Sequence, residues 1–109
     1  MGGNVTKYTV AWTSTAGGAV SGNAFQIRRG ELVQVKVIPG SGGTQPTDLY
    51  DLTIEDADGV DLLAGAAANL SNSESAIFIW PLSYLDNTVD VVIANAGSAK
   101  TGTVILWIR

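Results

Sequence analysis

Four carboxylates lie close together in one short segment of the chain, at Glu55, Asp56, Asp58 and Asp61. Carboxylate oxygens are the ligands that hard cations prefer, and Ca²⁺ takes about six to eight oxygen ligands. Asp56, Asp58 and Asp61 are therefore candidate ligands for a divalent cation. Their spacing differs from that of an EF-hand loop, so the segment carries no established calcium motif.

The same segment also has the composition of a tight turn. In Asp56-Ala-Asp-Gly59, aspartate and glycine are favoured turn residues, and Gly59 can supply the positive φ that closes a chain reversal. Apolar alternation through Tyr50–Ile54, followed by Val60–Leu63, predicts a hairpin with the carboxylates at its tip. We prefer turn chemistry to a metal site, and we expect no cofactor.

The residue inventory disfavours catalysis. The chain has no histidine and no cysteine, which removes the usual Ser-His-Asp triad, thiolate nucleophiles and the commonest transition-metal ligands. Two carboxylates can hydrolyse a glycoside, but only when they face each other across a cleft. Acids on a surface turn do not meet that requirement. We predict that the protein is not an enzyme.

Charge is divided unevenly along the sequence. Residues 39–98 contain no lysine or arginine, and they hold every aspartate and glutamate except Glu31. Either basic strands neutralise these acids within one molecule, or an acidic face is left to meet a basic partner surface such as a neighbouring subunit. We expect protein contacts at basic residues outside the acidic span, namely Lys7, Arg28, Arg29 and Arg109.

Overall charge and hydropathy exclude two further classes of partner. The net charge of −4 disfavours nucleic acid, which normally requires a basic stripe. No window approaches the roughly 18 apolar residues of a membrane-spanning helix. We therefore expect no nucleic acid and no membrane partner. Charged residues make up only 15% of the chain, which suggests that neighbouring molecules cover part of the surface.

Apolar residues recur at every second position through most of the chain, beginning with Tyr8, Val10 and Trp12. This period is typical of half-buried strands. No segment shows the sustained 3.6-residue period of a helix. The predicted strands cover approximately residues 5–14, 24–28, 33–38, 49–55, 60–63, 75–81, 89–94 and 103–109.

Glycine and proline mark the predicted breaks. Residues 29–30, Arg-Gly, are predicted to form a turn between the second and third strands. The third strand should point Val33, Val35 and Val37 inward. Pro39 should end it, because proline cannot donate a hydrogen bond to a sheet ladder.

The aromatic and apolar runs predict buried strands. Residues 77–80 are consecutive and apolar, which is typical of a strand covered on both faces. Trp12, Trp80 and Trp107 could form a platform that stacks on sugars, but each lies within an apolar strand, so we prefer core packing. The last strand reaches Arg109, and we expect the C-terminus to be held in a sheet.

Together these patterns predict an all-β fold. About eight short strands with a turn signal every 8–12 residues or so are typical of antiparallel sandwiches and barrels. We predict a single antiparallel β-sandwich or jelly-roll-like domain over residues 1–109.

Three segments resemble small β-rich virion proteins of tailed bacteriophages, and most of all capsid decoration (cement) proteins. They are PTDLYDLTIEDADGVDLLAG at 46–65, ANLSN at 68–72 and VVIANAGSAKTGTVILWIR at 91–109. The resemblance implies a non-enzymatic structural protein on the outer surface of a phage head, made in the host cytoplasm. It supplies no catalytic residues.

The resemblance also implies partners. These are the shell of the major capsid protein and further copies of the chain itself, with a trimer favoured. Two alternatives remain open. One is another virion component, such as a tail or head–tail protein, and the other is a carbohydrate-binding β-sandwich module.

Overall fold

The computed structural model describes residues 5–21, 23–79 and 84–109, and of residues 25, 27–29 and 84–87 it describes the backbone alone. The predicted all-β class is confirmed, because the described residues contain no α-helix and their strands pair antiparallel. These residues form six strands, where the sequence predicted about eight. The strands are β1 (Thr6–Thr13), β2 (Phe25–Pro39), β3 (Asp51–Glu55), β4 (Ala76–Ile79), β5 (Tyr84–Ala94) and β6 (Thr101–Ile108).

The strand order is β1-β6-β2-β5-β3, with β4 also paired to β2. β2 joins two sheets. Its second half, from Leu32, pairs with β6 on one edge and with β4 on the other. Its first half pairs with β5, and β5 in turn pairs with β3. As predicted, β2 ends at Pro39 and the last strand is held within a sheet.

No turn interrupts β2 at residues 29–30, so the prediction of two separate strands there is wrong. A Cβ atom added to Gly30 would lie 2.7 Å from Ile108 Cγ2 and 3.2 Å from the Arg109 carbonyl oxygen. Glycine therefore stands here because β6 passes close to β2, and not because the chain reverses.

β2 changes sheets where its pairing register shifts. One shift lies between Ile27 and Arg29, and a second lies between Leu32 and Gln34. Such irregularities bend a strand and move its side chains to the other face. This explains why Leu32 is buried with Val35 and Val37, while Val33, predicted to point inward, is only partly buried.

The predicted strand at 60–63 is also wrong. One isolated bridge joins Glu55 to Asp61, the Leu62 N–H donates to the Ile54 carbonyl at 2.7 Å, and the chain then enters a series of turns. Those turns follow the outer edge of β3, and the Leu52 N–H donates to the carbonyl of Ala67 at 2.9 Å.

β4 is covered on one face only, which contradicts the prediction for its described residues. Phe78 packs against the core, whereas Ile77 is 54% exposed and Ile79 is 71% exposed. Trp80 and Pro81, which belong to the same predicted strand, lie outside the described residues.

A single hydrophobic core joins the two sheets. The rings of Trp12 on β1 and Tyr50 beside β3 are 5.9 Å apart, although β1 and β3 stand at opposite ends of the strand order. The sheets are therefore folded over one another around a shared interior. The largest fully buried side chains in it are Tyr50, Leu32, Leu52, Ile54, Leu63, Ile93 and Leu106.

The hydroxyl of Tyr50 is buried in this core and has no hydrogen-bond partner among the described residues. An unpaired buried hydroxyl costs about 1–3 kcal/mol. Tyr50→Phe is therefore expected to raise the free energy of unfolding by about 1 kcal/mol in urea denaturation. If Tyr50→Phe were less stable than the wild type, the Tyr50 hydroxyl would have to form a hydrogen bond in the folded protein.

Burial also raises the pKa of Tyr50 from 10.0 to about 12. Because the folded state binds this proton more tightly than the unfolded state, the resulting stabilisation is complete below pH 10 and is lost between pH 10 and about 12. The loss is at most about 1.4 kcal/mol per pH unit. Denaturation at several pH values should show this decline in the wild type and not in Tyr50→Phe.

Candidate functional site

Asp61, a candidate metal ligand in the sequence, organises the turn that follows β3. Its Oδ1 accepts hydrogen bonds from the backbone N–H groups of Ile54 at 3.1 Å and Leu63 at 3.0 Å. Its Oδ2 accepts the N–H of Gly65 at 2.8 Å. The carboxylate therefore stands in for backbone acceptors where the predicted hairpin ladder does not form.

Asp56 closes the tight turn itself. Its Oδ1 accepts the N–H groups of Asp58 and Val60, both at 2.9 Å. The N–H of Gly59 donates to the Asp56 carbonyl at 3.0 Å, and Gly59 has the predicted positive φ, at 80°. The predicted turn chemistry of this segment is confirmed.

The three candidate ligands do not converge on one point. The carboxylates of Asp56 and Asp61 bind backbone groups of their own turns, and the exposed carboxylate of Asp58 has no hydrogen-bond partner among the described residues. Within the described ranges, no group of three or more aspartate, glutamate, histidine or cysteine side chains is arranged to hold a metal ion.

The strand pairing places the backbones of the predicted contact residues toward the end of the molecule where β1 begins and β6 ends. Lys7 lies near the start of β1, beside the end of β6. Arg109 and Glu31 exchange both backbone hydrogen bonds, at 2.9 and 3.0 Å, and Arg28 and Arg29 immediately precede this point on β2. We call Lys7, Arg28, Arg29 and Arg109 the basic end.

Ion pairing does little to neutralise the basic end in the described part of the chain. One ion pair is found there, between Arg109 and Glu31 at 3.4 Å, and its partly exposed side chains contribute little stability. Lys7 is exposed. Arg29 lies opposite Asp86 in the β2–β5 register. None of the acids at 39–98 whose side chains the structure describes forms an ion pair with a described lysine or arginine.

A second feature is apolar and lies on the outside of the first sheet. The register places Lys36 between Ile77 and Ile105, and Gln34 between Ile79 and Trp107. Ile77 and Ile79 are mostly exposed. We call this surface the outer apolar face, and it comprises Gln34, Lys36, Ile77, Ile79, Ile105 and Trp107.

The tryptophans divide between core and surface. Trp12 is 3% exposed, so its predicted core position is confirmed. The same prediction is wrong for Trp107, because Leu106 and Ile108 point inward and strand alternation turns Trp107 outward, where it is partly exposed. Of the two described tryptophans only Trp107 reaches the surface, so these two form no stacking platform.

The outside of the second sheet is acidic. Glu55 lies opposite Asp90, and Thr53 lies opposite Val92. The Thr53 hydroxyl donates to Glu55 at 2.8 Å, while Asp90 Oδ1 is buried without a hydrogen-bond partner among the described residues. Like charges in directly opposite positions are destabilising. We call this surface the acidic face, and it comprises Asp51, Thr53, Glu55, Asp90 and Val92.

An open groove of about 280 Å³ lies at the far end of the first sheet, away from the basic end. Ala11, Thr13, Ile38, Thr101 and Thr103 contribute to its lining. None of its lining residues is an acid or a base, so the groove offers contact area and no general acid–base group.

Sequence reasoning missed the outer apolar face. Its signal was present in the apolar run at 77–80, which was interpreted as a strand covered on both sides. The distinction depends on what packs against β4, and the run itself does not contain that information.

Comparisons with known proteins add no assignment. No family model matches the chain, and no curated protein matches it. Within the described residues, no helix has the length and apolar character needed to span a bilayer. The candidate site is therefore defined by its geometry: the basic end and two outer faces of different chemistry.

Proposed function

We propose that this protein is a non-enzymatic structural component of a tailed-bacteriophage virion, a decoration protein that binds and stabilises the assembled head shell. The observation that carries the proposal is the basic end, where backbone pairing places Lys7 beside the end of β6 and Arg109 beside Glu31, two residues after the pair Arg28 and Arg29 on β2. The resemblance of three segments to phage decoration proteins supports the head shell as the partner of this surface.

In the proposed mechanism, the basic end contacts an acidic region of the shell. Complementary charge speeds encounter and fixes orientation more than it adds affinity. Because the protein binds the assembled shell and not its separated subunits, binding stabilises the shell by mass action. This mechanism requires surface contact and no reaction.

We further propose the arrangement in which these contacts are made. The two sheets form a β-sandwich or jelly-roll-like domain, supported by the shared strand β2 and the single core. Copies made in the host cytoplasm assemble on the outer surface of the head as homo-oligomers, with a trimer favoured. The acids of the turn at 56–61 point to solvent or to a sister subunit.

The test is co-sedimentation of the purified protein with empty expanded and unexpanded shells of the encoding phage. We expect the wild type to sediment with at least one form. Lys7→Glu should weaken binding about tenfold or more, because it places a like charge against an acidic surface. Raised salt should weaken binding of the wild type as well.

Lys100→Glu is the matched control, since Lys100 lies in the loop between β5 and β6, away from the basic end. It should bind as the wild type does. Failure of the wild type to bind either form of the shell would refute the proposed function. Equal binding by Lys7→Glu and the wild type would refute the role of the basic end.

A further inference from the structure

The two outer faces of the molecule have matching chemistry. On the outer apolar face, Lys36 lies between two isoleucines, Ile77 and Ile105. On the acidic face, Glu55 and Asp90 lie opposite each other with no described cation in contact. One face therefore presents a cation within apolar surroundings, and the other presents two carboxylates with no counter-ion among the described side chains.

We infer that the outer apolar face of one copy packs against the acidic face of a second copy, with Lys36 placed beside Glu55 and Asp90 of its neighbour. This inference rests on the proposed function, in which copies assemble on the shell. It deepens that function by naming the surfaces that join the copies. Of the basic end, Lys7 lies opposite Trp107 and therefore borders this contact.

Burial of the exposed isoleucines provides the driving force. Ile77 and Ile79 are 54% and 71% exposed in the single chain, and Trp107 beside them is partly exposed. Covering apolar area yields about 25 cal/mol per Å². The acidic face can receive these side chains, because Val92 and Thr53 form an uncharged pair in its register between two pairs that contain acids.

Charge decides that the contact joins two different faces. If two outer apolar faces met, Lys36 of both copies would be desolvated, and no described side chain of that face is acidic. Pairing with the acidic face supplies carboxylates instead, and it relieves the repulsion between Glu55 and Asp90. A contact between unlike faces leaves one of each free, so further copies can add until a ring closes.

The test is the mass of the free protein in light scattering, without shells. The wild type should exceed the 11.3 kDa of one chain. Lys36→Glu and Glu55→Lys should each weaken association about tenfold or more. The double variant Lys36→Glu/Glu55→Lys should recover part of the association lost in Lys36→Glu, because positions 36 and 55 again carry opposite charges in every contact of the ring, although Asp90 remains acidic.

Matched controls separate this contact from general effects of charge and hydropathy. Ile79→Ser should weaken association, while Val60→Ser, at a side chain 57% exposed on the acidic turn, should not. Lys100→Glu should associate as the wild type does. Circular dichroism of each variant establishes that it is folded before its mass is interpreted.

Three results would overturn the inference: a wild type of single-chain mass up to millimolar concentration, unchanged association in Lys36→Glu, or no recovery in the double variant. A single-chain wild type that still sediments with shells would overturn this inference and leave the proposed function standing. If the wild type associates and the double variant regains association, but the wild type sediments with neither form of the shell, the inference stands and the proposed function is refuted.

Discussion

Replacement of Gly102 by alanine is expected to lower the free energy of unfolding by about 3 kcal/mol. A Cβ atom at this position would lie 2.6 Å from Trp12 Cε2 and 2.9 Å from Trp12 Nε1. The Trp12 ring is buried and packs near Tyr50, so it cannot move aside without opening the core. Urea denaturation followed by circular dichroism measures the loss.

Two variants show whether the ring causes this loss. Gly43→Ala is the matched control, because a Cβ atom at Gly43 meets no heavy atom within 4 Å. Trp12→Leu makes room for the added methyl group, so the loss from Gly102→Ala should be smaller in that background, as a double-mutant cycle would show. Additive effects would mean that Gly102 is needed for another reason.

Replacement of Asp61 by alanine is expected to cost about 2–3 kcal/mol. The change removes the acceptor of three backbone N–H groups, those of Ile54, Leu63 and Gly65. Water can reach the exposed Gly65, so the cost arises mainly at Ile54 and Leu63, where the hydrogen bonds are partly buried. Thermal or urea unfolding measures the difference.

Asp58→Ala is the matched control for this variant, since the Asp58 carboxylate is exposed and has no hydrogen-bond partner among the described residues. It should unfold as the wild type does. The same pair of variants tests the alternative of a cation site. If Ca²⁺ raised the unfolding temperature of the wild type but not of Asp58→Ala, the carboxylates would be metal ligands and the structural interpretation of this turn would be wrong.

Local features were predictable from the sequence where short-range physics decides them. The alternation of Tyr8, Val10 and Trp12 predicted β1 within a residue at each end. The Asp-Gly composition of the turn at 56–59 predicted the positive φ of Gly59, because a tight reversal needs a residue without a side chain there.

The errors occurred where a residue has two possible uses. Glycine permits a turn, and it also permits close approach of another strand; Gly30 serves the second purpose, against a partner at the opposite end of the sequence. An aspartate can belong to a strand, and its carboxylate can also replace a backbone acceptor. Asp61, predicted to lie in a strand at 60–63, serves the second purpose when its Oδ1 accepts the N–H of Ile54. Each outcome depends on tertiary contacts that a local pattern does not contain.

The sequence predicted where basic and acidic residues are concentrated, but it did not predict the surfaces that they form in the fold. The division between basic and acidic stretches was visible in the sequence, and it marked Lys7, Arg28, Arg29 and Arg109 as basic positions outside the acidic span. The two outer faces were not visible, because they depend on pairing between distant strands. Lys36 lies beside Ile77 and Ile105 only through the registers of β4 and β6 with β2.

The position of β6 has a consequence for how the chain acquires its structure. β6 is the last of the described strands in sequence, yet it lies between β1 and β2, and Thr6 pairs with Ile108. During synthesis, β1 therefore has no native neighbour until the residues of β6 have left the ribosome. Contacts so distant in sequence are typical of domains that fold in about milliseconds to seconds. In that interval the alternating strand β1 is open to mispairing with other nascent chains.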